Sequence, residues 1–328
     1  MLTAMRGILL FTLLPLCLLL AALAAAIAFG GPGQPAPMAS INDPFRSVET
    51  GDLPALQRFP ARDVTPLGFR SYWPAQRPPR GSVVLVHGSS ADSRSLHLLA
   101  SALAEAGFAA HALDMRGHGG SGTKGQIAYI GQLDDDVEDF LRALQPQRPL
   151  TLAGFSAGGG FALRFAASER QHLFDHYLLL APFISQDAPT YRADSGGWVS
   201  VGVPRIVGLS LLNAVGVQAF NHLPVMRFAL NDTAKPMLTP QYSFAPAQNF
   251  RPQPDWRASI RAAAQPMALL AGLDDEAFHA DRFAASFENE GRPIPVTLLP
   301  GVGHIGLTLE PAAVAAVVAA VDRLHRQP

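Results

Sequence analysis

Short uninterrupted apolar runs recur along the chain at Ser82–Val86, Pro149–Ala153, Tyr177–Ala181, Pro266–Ala271 and Ile294–Leu299. Runs of this kind, bounded by glycine, proline or charge, fit strands buried on both faces of a sheet. Between them, apolar positions fall at helical spacing, which predicts helices over Ser93–Glu105, Leu133–Leu144, Ala277–Glu288 and Ala312–Arg326. Leu56–Pro60 and Leu67–Trp73 alternate instead, predicting two amphipathic strands that form an antiparallel edge. Strand and helix then take turns, so the pattern predicts an α/β fold with a mostly parallel central sheet covered by helices on both faces.

Two stretches do not follow that alternation. Residues 185–255 mix Trp198, Val207, Leu211, Phe220 and Phe228 with glycine and proline, and lie between two core strands. They read as an insertion that packs on the core and offers an apolar wall for a hydrophobic moiety. At the other extreme, Gly7–Phe29 carries no charge. Its length, at roughly 1.5 Å per residue, suits a hydrocarbon core of about 30 Å. Residues 1–29 therefore read as a signal anchor. A cleaved signal peptide is the competing reading, because Ala26-Ile27-Ala28 resembles a cleavage site. Arg6 precedes the run and the next basic residue after it is Arg46, which puts the amino terminus in the cytoplasm and the rest outside it. In a Gram-negative cell that side is the periplasm; after cleavage the protein would be secreted. Residues 30–45, rich in glycine and proline, read as a flexible linker, and residues 46–328 as the main domain.

Composition narrows the classes. A net charge of −1 offers no basic field for nucleic acid. The single cysteine, Cys17, lies in the apolar run, which excludes intrachain disulfides and cysteine metal sites. The acidic run Asp134-Asp135-Asp136 opens a predicted helix and reads as a solvated face that complements the helix dipole, with metal binding as the weaker alternative.

The chemistry concentrates at strand ends. Gly154-Phe155-Ser156-Ala157-Gly158 stands between a strand and a helix, the context of a nucleophile elbow. Glycines two positions either side of Ser156 fit a turn too tight for side chains there. Serine also needs a base, an acid that orients the base, and oxyanion donors. The strand Ser82–Val86 runs into His87-Gly88-Ser89-Ser90, which nominates the main-chain N–H of Ser89 as a donor beside that of Ala157. Downstream, one strand ends in Gly272-Leu273-Asp274-Asp275-Glu276, where an acid can sit, and the next in Gly301-Val302-Gly303-His304. Serine, acid and histidine in that chain order match the elbow template.

With these motifs in place, VLVHGSS at 84–90, DMRGHGGSG at 114–122, GFSAGGG at 154–160, AGLDDEAF at 271–278 and GVGH at 301–304, the chain resembles the alpha/beta-hydrolase superfamily. It is similar to its esterase, lysophospholipase and monoacylglycerol-lipase-like groups, labelled serine aminopeptidase S33, over roughly residues 55–325. The resemblance implies a Ser156–His304–Asp275 triad and a cap insertion over it, at about residues 185–255. Relatives carry the acid three residues after a glycine, which favours Asp275 over Asp274. Asp187, after the strand Tyr177–Ala181, is a further candidate acid. His279 and His325 fall in predicted helices, while His87 and His118 read as turn braces. The expected activity is hydrolysis of hydrophobic carboxylic esters through an acyl-enzyme, with no cofactor, no metal and no obligate protein partner. An aminopeptidase or amidase would want an acid for the substrate amine, with Asp187, Asp194 and Asp232 as candidates. A cofactor-free haloperoxidase or perhydrolase shares the same elbow and triad. A non-catalytic binding protein on this scaffold is a fourth reading, disfavoured by the presence of all three triad residues.

Overall fold

The computed structural model of the chain describes residues 2–44 and 51–326. Eight strands form the central sheet: β1 (Gln57–Pro60), β2 (Pro66–Tyr72), β3 (Ser82–Val86), β4 (Ala109–Leu113), β5 (Leu150–Phe155), β6 (His176–Leu180), β10 (Met267–Gly272) and β11 (Val296–Leu299). Their spatial order is β1-β2-β4-β3-β5-β6-β10-β11. From β4 onward every pair is parallel, while β1 and β2 pair antiparallel and β2 meets β4 antiparallel. The apolar runs fit these parallel pairings. β3, β4, β5, β6 and β10 are buried along their whole length, as parallel strands covered on both faces must be. The strand β4 was not evident from the pattern, since Ala109-Ala110-His111-Ala112-Leu113 is short in large apolar residues.

Helices His97–Glu105 and Pro311–His325 pack against each other, and helix Ala157–Ala166 packs against Trp256–Ala262. Phe161 and Phe165 of the latter pair are fully buried. The residues between β6 and β10 hold a second, three-stranded antiparallel sheet of β7 (Val199–Val201), β8 (Pro224–Phe228) and β9 (Gln241–Ser243). They also hold helices Val203–Ala214 and Phe244–Asn249. This insertion, called the cap below, contains a small sheet that the hydrophobic pattern does not reveal.

Two readings change here. The acidic run is not a solvated face: Asp134 and Asp136 are buried, Asp134 against Arg164 at 3.1 Å and Asp136 against Arg116 at 2.8 Å. Buried carboxylates need such partners, and the arginines come from the elbow helix and the β4 loop. The helix expected from Ala277 begins only at Phe283, after a short 3-10 turn at Ala280–Arg282. The N–H groups of Ala277 and Phe278 are both taken by Asp275 Oδ1, at 2.8 Å each.

The apolar run is helical within Leu2–Phe29, and the side chains of residues 2–13 lie outside the described ones. Among the described residues no helix is long and apolar enough to cross a membrane. The end of this helix is docked on the cap. Arg205 donates to the carbonyls of Ile27 at 2.7 Å and Ala28 at 2.9 Å, supplying acceptor-rich carbonyls with a cation. A Cβ on Gly208 would stand 2.8 Å from Ile27 Cγ1, so the two helices approach as closely as they do because position 208 has no side chain. The stretch read as a linker also touches the body. Met38 N–H bonds Ala229 O at 3.0 Å, Asn42 Nδ2 donates to Ala229 O at 2.9 Å, and Ile41 is buried. Its glycines and prolines are concentrated up to Pro37, with one more at Pro44, and Ile41 shares a cavity wall with Leu230 of the cap. The domain boundary read at residue 46 lies outside the described residues.

Candidate active site

Ser89, Ser156, Asp275 and His304 follow β3, β5, β10 and β11 respectively, so parallel pairing brings all four to one end of the sheet. Ser156 sits at φ 55°, a conformation L side chains rarely adopt. Its N–H bonds Leu180 O at 2.8 Å, and its carbonyl accepts from Phe183 N at 2.9 Å and Gly160 N at 3.0 Å, which fixes the strained residue from both sides. The glycines of the motif are there for space. A Cβ on Gly158 would lie 2.4 Å from the carbonyl oxygens of both Val86 and His87. A Cβ on Gly154 would lie 2.0 Å from Gly158 O.

Ser156 Oγ lies 3.0 Å from His304 Nε2, and His304 Nδ1 lies 2.8 Å from Asp275 Oδ2. All three side chains are buried. With Nδ1 facing a carboxylate, Nδ1 carries the proton and Nε2 is left bare toward the hydroxyl. Phe155 lies tilted against the imidazole and Phe278 meets it edge to face, with ring centroids 4.8 and 5.2 Å away. Ala157 is the first residue of its helix, so its N–H has no intrahelical acceptor. No hydrogen bond of the Ser89 N–H occurs among the described residues. The helix start adds a favourable dipole at the serine.

The other candidates lie elsewhere. Asp187 is bonded to Ser185 and Trp256, and Asp232 to Lys235; the side chain of Asp194 is outside the described ones. His279 precedes the 3-10 turn, and His325 bonds Thr151 Oγ1 at 2.8 Å. Buried His87 spans the turn, with Nδ1 on Gly88 O at 2.7 Å and Nε2 accepting from Met115 N at 3.2 Å. Desolvation pushes its pKa down, so it stays neutral. Glu276 was not singled out by its motif. Its Oε2 accepts from the His304 N–H at 2.9 Å and so holds the histidine loop.

A cavity of about 490 Å³ opens on Ser156 and His304. Its walls are mostly apolar and include Ile41, Trp198, Leu230, Met237, Leu238 and Ile305. Of the cap residues named from the sequence, Trp198 lines the cavity, joined by Leu230, whereas Val207 and Leu211 are exposed on a helix that packs against the N-terminal one and Phe220 is exposed as well. The wall is instead completed by the stretch before the domain and by residues 237–238, whose placement depends on chain crossings that periodicity does not encode.

Comparison with known proteins gives the chain a family. Residues 77–292 match the family described as serine aminopeptidase, S33. The chain belongs to that family of alpha/beta hydrolases. It is 36% identical over 101 residues to a monoacylglycerol lipase of Mycolicibacterium smegmatis, a match covering 29% of this chain and 35% of that lipase. The matched segment thus spans about a third of the relative's length. Among solved structures, the chain is similar to a soluble variant of monoglyceride lipase from Saccharomyces cerevisiae bound to a substrate analog. That likeness has a TM-score of 0.64 at 18% identity and covers 85% of this chain and 97% of that one. A bacterial membrane phospholipase A matches with a TM-score of 0.57 at 19% identity, covering 96% of this chain and 99% of the other.

Proposed function

We propose that the protein is a serine hydrolase of lipid-like carboxylic esters, with Ser156 as nucleophile, His304 as base and Asp275 as its orienting acid. The observation that carries this reading is the continuous Asp275–His304–Ser156 hydrogen-bond chain at the floor of an apolar cavity. Ser156 Oγ attacks the acyl carbonyl as His304 Nε2 takes its proton. The imidazolium, stabilised by Asp275, returns that proton to the departing alcohol. The carbonyl oxygen becomes an oxyanion received by the N–H groups of Ser89 and Ala157. Water then enters, loses its proton to His304 and releases the fatty acid, restoring Ser156.

The named lipid-ester relatives favour an ester with an apolar acyl chain, and the cavity walls suit one. An aminopeptidase role is less well supported. Among the described lining residues the one carboxylate is Asp92, which Arg94 already holds in a two-point ion pair. The helix Leu2–Phe29 is proposed as a membrane anchor with the catalytic domain on the extracytoplasmic side, on the strength of its uncharged residues 7–29.

The test is a panel of p-nitrophenyl esters, monoacylglycerols and aminoacyl amides on the full chain in detergent, alongside a fluorophosphonate probe. Turnover of medium or long esters with labelling at Ser156 is expected. Turnover confined to the amides would reverse the assignment. Carbonate extraction of membranes checks the anchor, and recovery of a soluble protein beginning near residue 29 would favour cleavage.

A further inference from the structure

The loop that follows β3 is fastened to the cap more heavily than to the sheet that carries it. Ser90 adopts φ 71° and spends all three of its polar groups on the cap or on its phenol. Its N–H donates to Tyr242 Oη at 2.8 Å, its Oγ donates to Thr239 O at 2.6 Å, and its carbonyl accepts from Thr239 N at 2.8 Å. Thr239 Oγ1 reaches on to Gly117 O at 3.0 Å. The preceding Ser89 is held through its side chain, which accepts from Trp198 Nε1 at 3.0 Å.

The direction of the bonds at Tyr242 follows from His118. Its Nδ1 lies 3.2 Å from each of the carbonyl oxygens of Met115 and Arg116, which only accept, so Nδ1 bears the proton. Burial pushes the His118 pKa down to about 3, so the ring is neutral and Nε2 is an acceptor. Tyr242 therefore donates its hydroxyl to Nε2 at 2.6 Å and accepts the Ser90 N–H on its oxygen. A hydroxyl that donates accepts more strongly, so the three groups form one directed chain.

Two successive N–H groups in this loop differ in their partners: that of Ser90 is taken by Tyr242 Oη, while that of Ser89 has no acceptor among the described residues. We propose that Tyr242 is a positioning residue: it withdraws the Ser90 N–H and so leaves the Ser89 N–H as the loop's oxyanion donor, which makes the cap part of the oxyanion site. This rests on the serine-hydrolase reading above. The donor's direction is what transition-state stabilisation depends on, while ground-state binding in the apolar cavity does not involve it.

The experiment is Tyr242→Phe in the full chain, read by three measurements. Hydrogen exchange of the Ser90 amide should accelerate at least about tenfold, because its acceptor is gone. Fluorophosphonate labelling of Ser156 should slow by about 10–100-fold, less than or comparable to loss of a whole oxyanion donor. On p-nitrophenyl butyrate kcat should fall by a similar factor with KM within about twofold. His118→Asn should act in the same direction, and the double variant should be no worse than Tyr242→Phe alone, since both act on one chain of bonds. Should Tyr242→Phe fold poorly, His118→Asn carries the same three measurements on its own, because it removes the acceptor that orients the Tyr242 hydroxyl. Faster Ser90 exchange with unchanged labelling overturns the proposal, and so does slower labelling with Ser90 still protected. A wild-type chain that the probe does not label at Ser156 overturns the hydrolase reading itself, an outcome distinct from both.

Discussion

Asp275 divides its carboxylate between two tasks: Oδ2 faces His304 Nδ1 at 2.8 Å, while Oδ1 is held by the N–H groups of Ala277 and Phe278. The acid is thereby locked in orientation by its own loop before it meets the histidine. Asp274 has no such position, since its N–H bonds Val302 O and its side chain takes no part in the chain of bonds to Ser156.

The two neighbouring acids should consequently differ sharply. Asp275→Asn is expected to lower kcat by roughly 10³–10⁴, because an amide neither stabilises the imidazolium nor enforces the tautomer. Asp274→Asn should cost less than about tenfold. Steady-state kinetics on one soluble ester settle it, and the reverse ranking would move the acid to Asp274. Ser156→Ala and His304→Ala should each lose roughly 10⁴–10⁶ in kcat and be no worse when combined, as groups acting as a unit.

The elbow should be intolerant of the smallest side chain. Gly158→Ala would push a methyl group to 2.4 Å from two main-chain oxygens of β3 and its loop, neither of which is the end of a flexible side chain. We expect a loss of about 2 kcal/mol or more from overpacking, together with slower fluorophosphonate labelling because His87 O and Ser156 must separate. A thermal midpoint within a degree of wild type would count against this account of the motif.

How far the sequence goes is clearest at this site. Ser156 with Ala157, His304 and Ser89 could be nominated because each follows an apolar run, and parallel pairing carries strand ends to one edge; the same position held Asp274 and Asp275 alike, and only the resemblance favoured Asp275. The strand order itself was not needed. Tyr242 and Ile41 were invisible for the opposite reason. Ser90 and Tyr242 are 152 residues apart and meet only through the cap, whose irregular turns carry no period. The buried Asp134 and Asp136 misled because a charged run on a helix looks alike whether water or arginine faces it. Arg116 and Arg164 supply those faces from distant segments.

Acid should destabilise the fold through its buried neutral histidines. Burial lowers the pKa of His111 to about 4 and of His118 to about 3, against about 6.5 when unfolded. Below pH 6.5 the unfolded chain binds protons that the folded chain refuses, so stability rises with pH in this window and is lost on acidification. The loss should begin near pH 6.5 and grow until about pH 4 for His111, reaching at most about 3 kcal/mol for that residue. His111→Phe, at a site already edged by Phe140 and Trp73, should flatten the acid limb of a denaturation series. An unchanged limb would place the acid sensitivity elsewhere.

The segment before the domain should matter to long substrates more than to short ones. Asn42 fastens it: Nδ2 donates to Met38 O and Ala229 O, and Oδ1 accepts from Asn231 N at 3.3 Å. Ile41 beside it and Asn231 opposite both line the cavity. Asn42→Ala removes these bonds and leaves the triad, more than one strand away in the chain, untouched. The freed segment no longer presents Ile41 as a wall. Burying part of an acyl chain against such a residue is worth roughly 1–2 kcal/mol. KM for a long-chain p-nitrophenyl ester should therefore rise by about 5–30-fold, while kcat/KM for the acetate stays within about twofold. Equal losses on both esters would mean that Asn42 supports the reacting groups themselves, and equal retention on both would mean that acyl chains leave the cavity by another path.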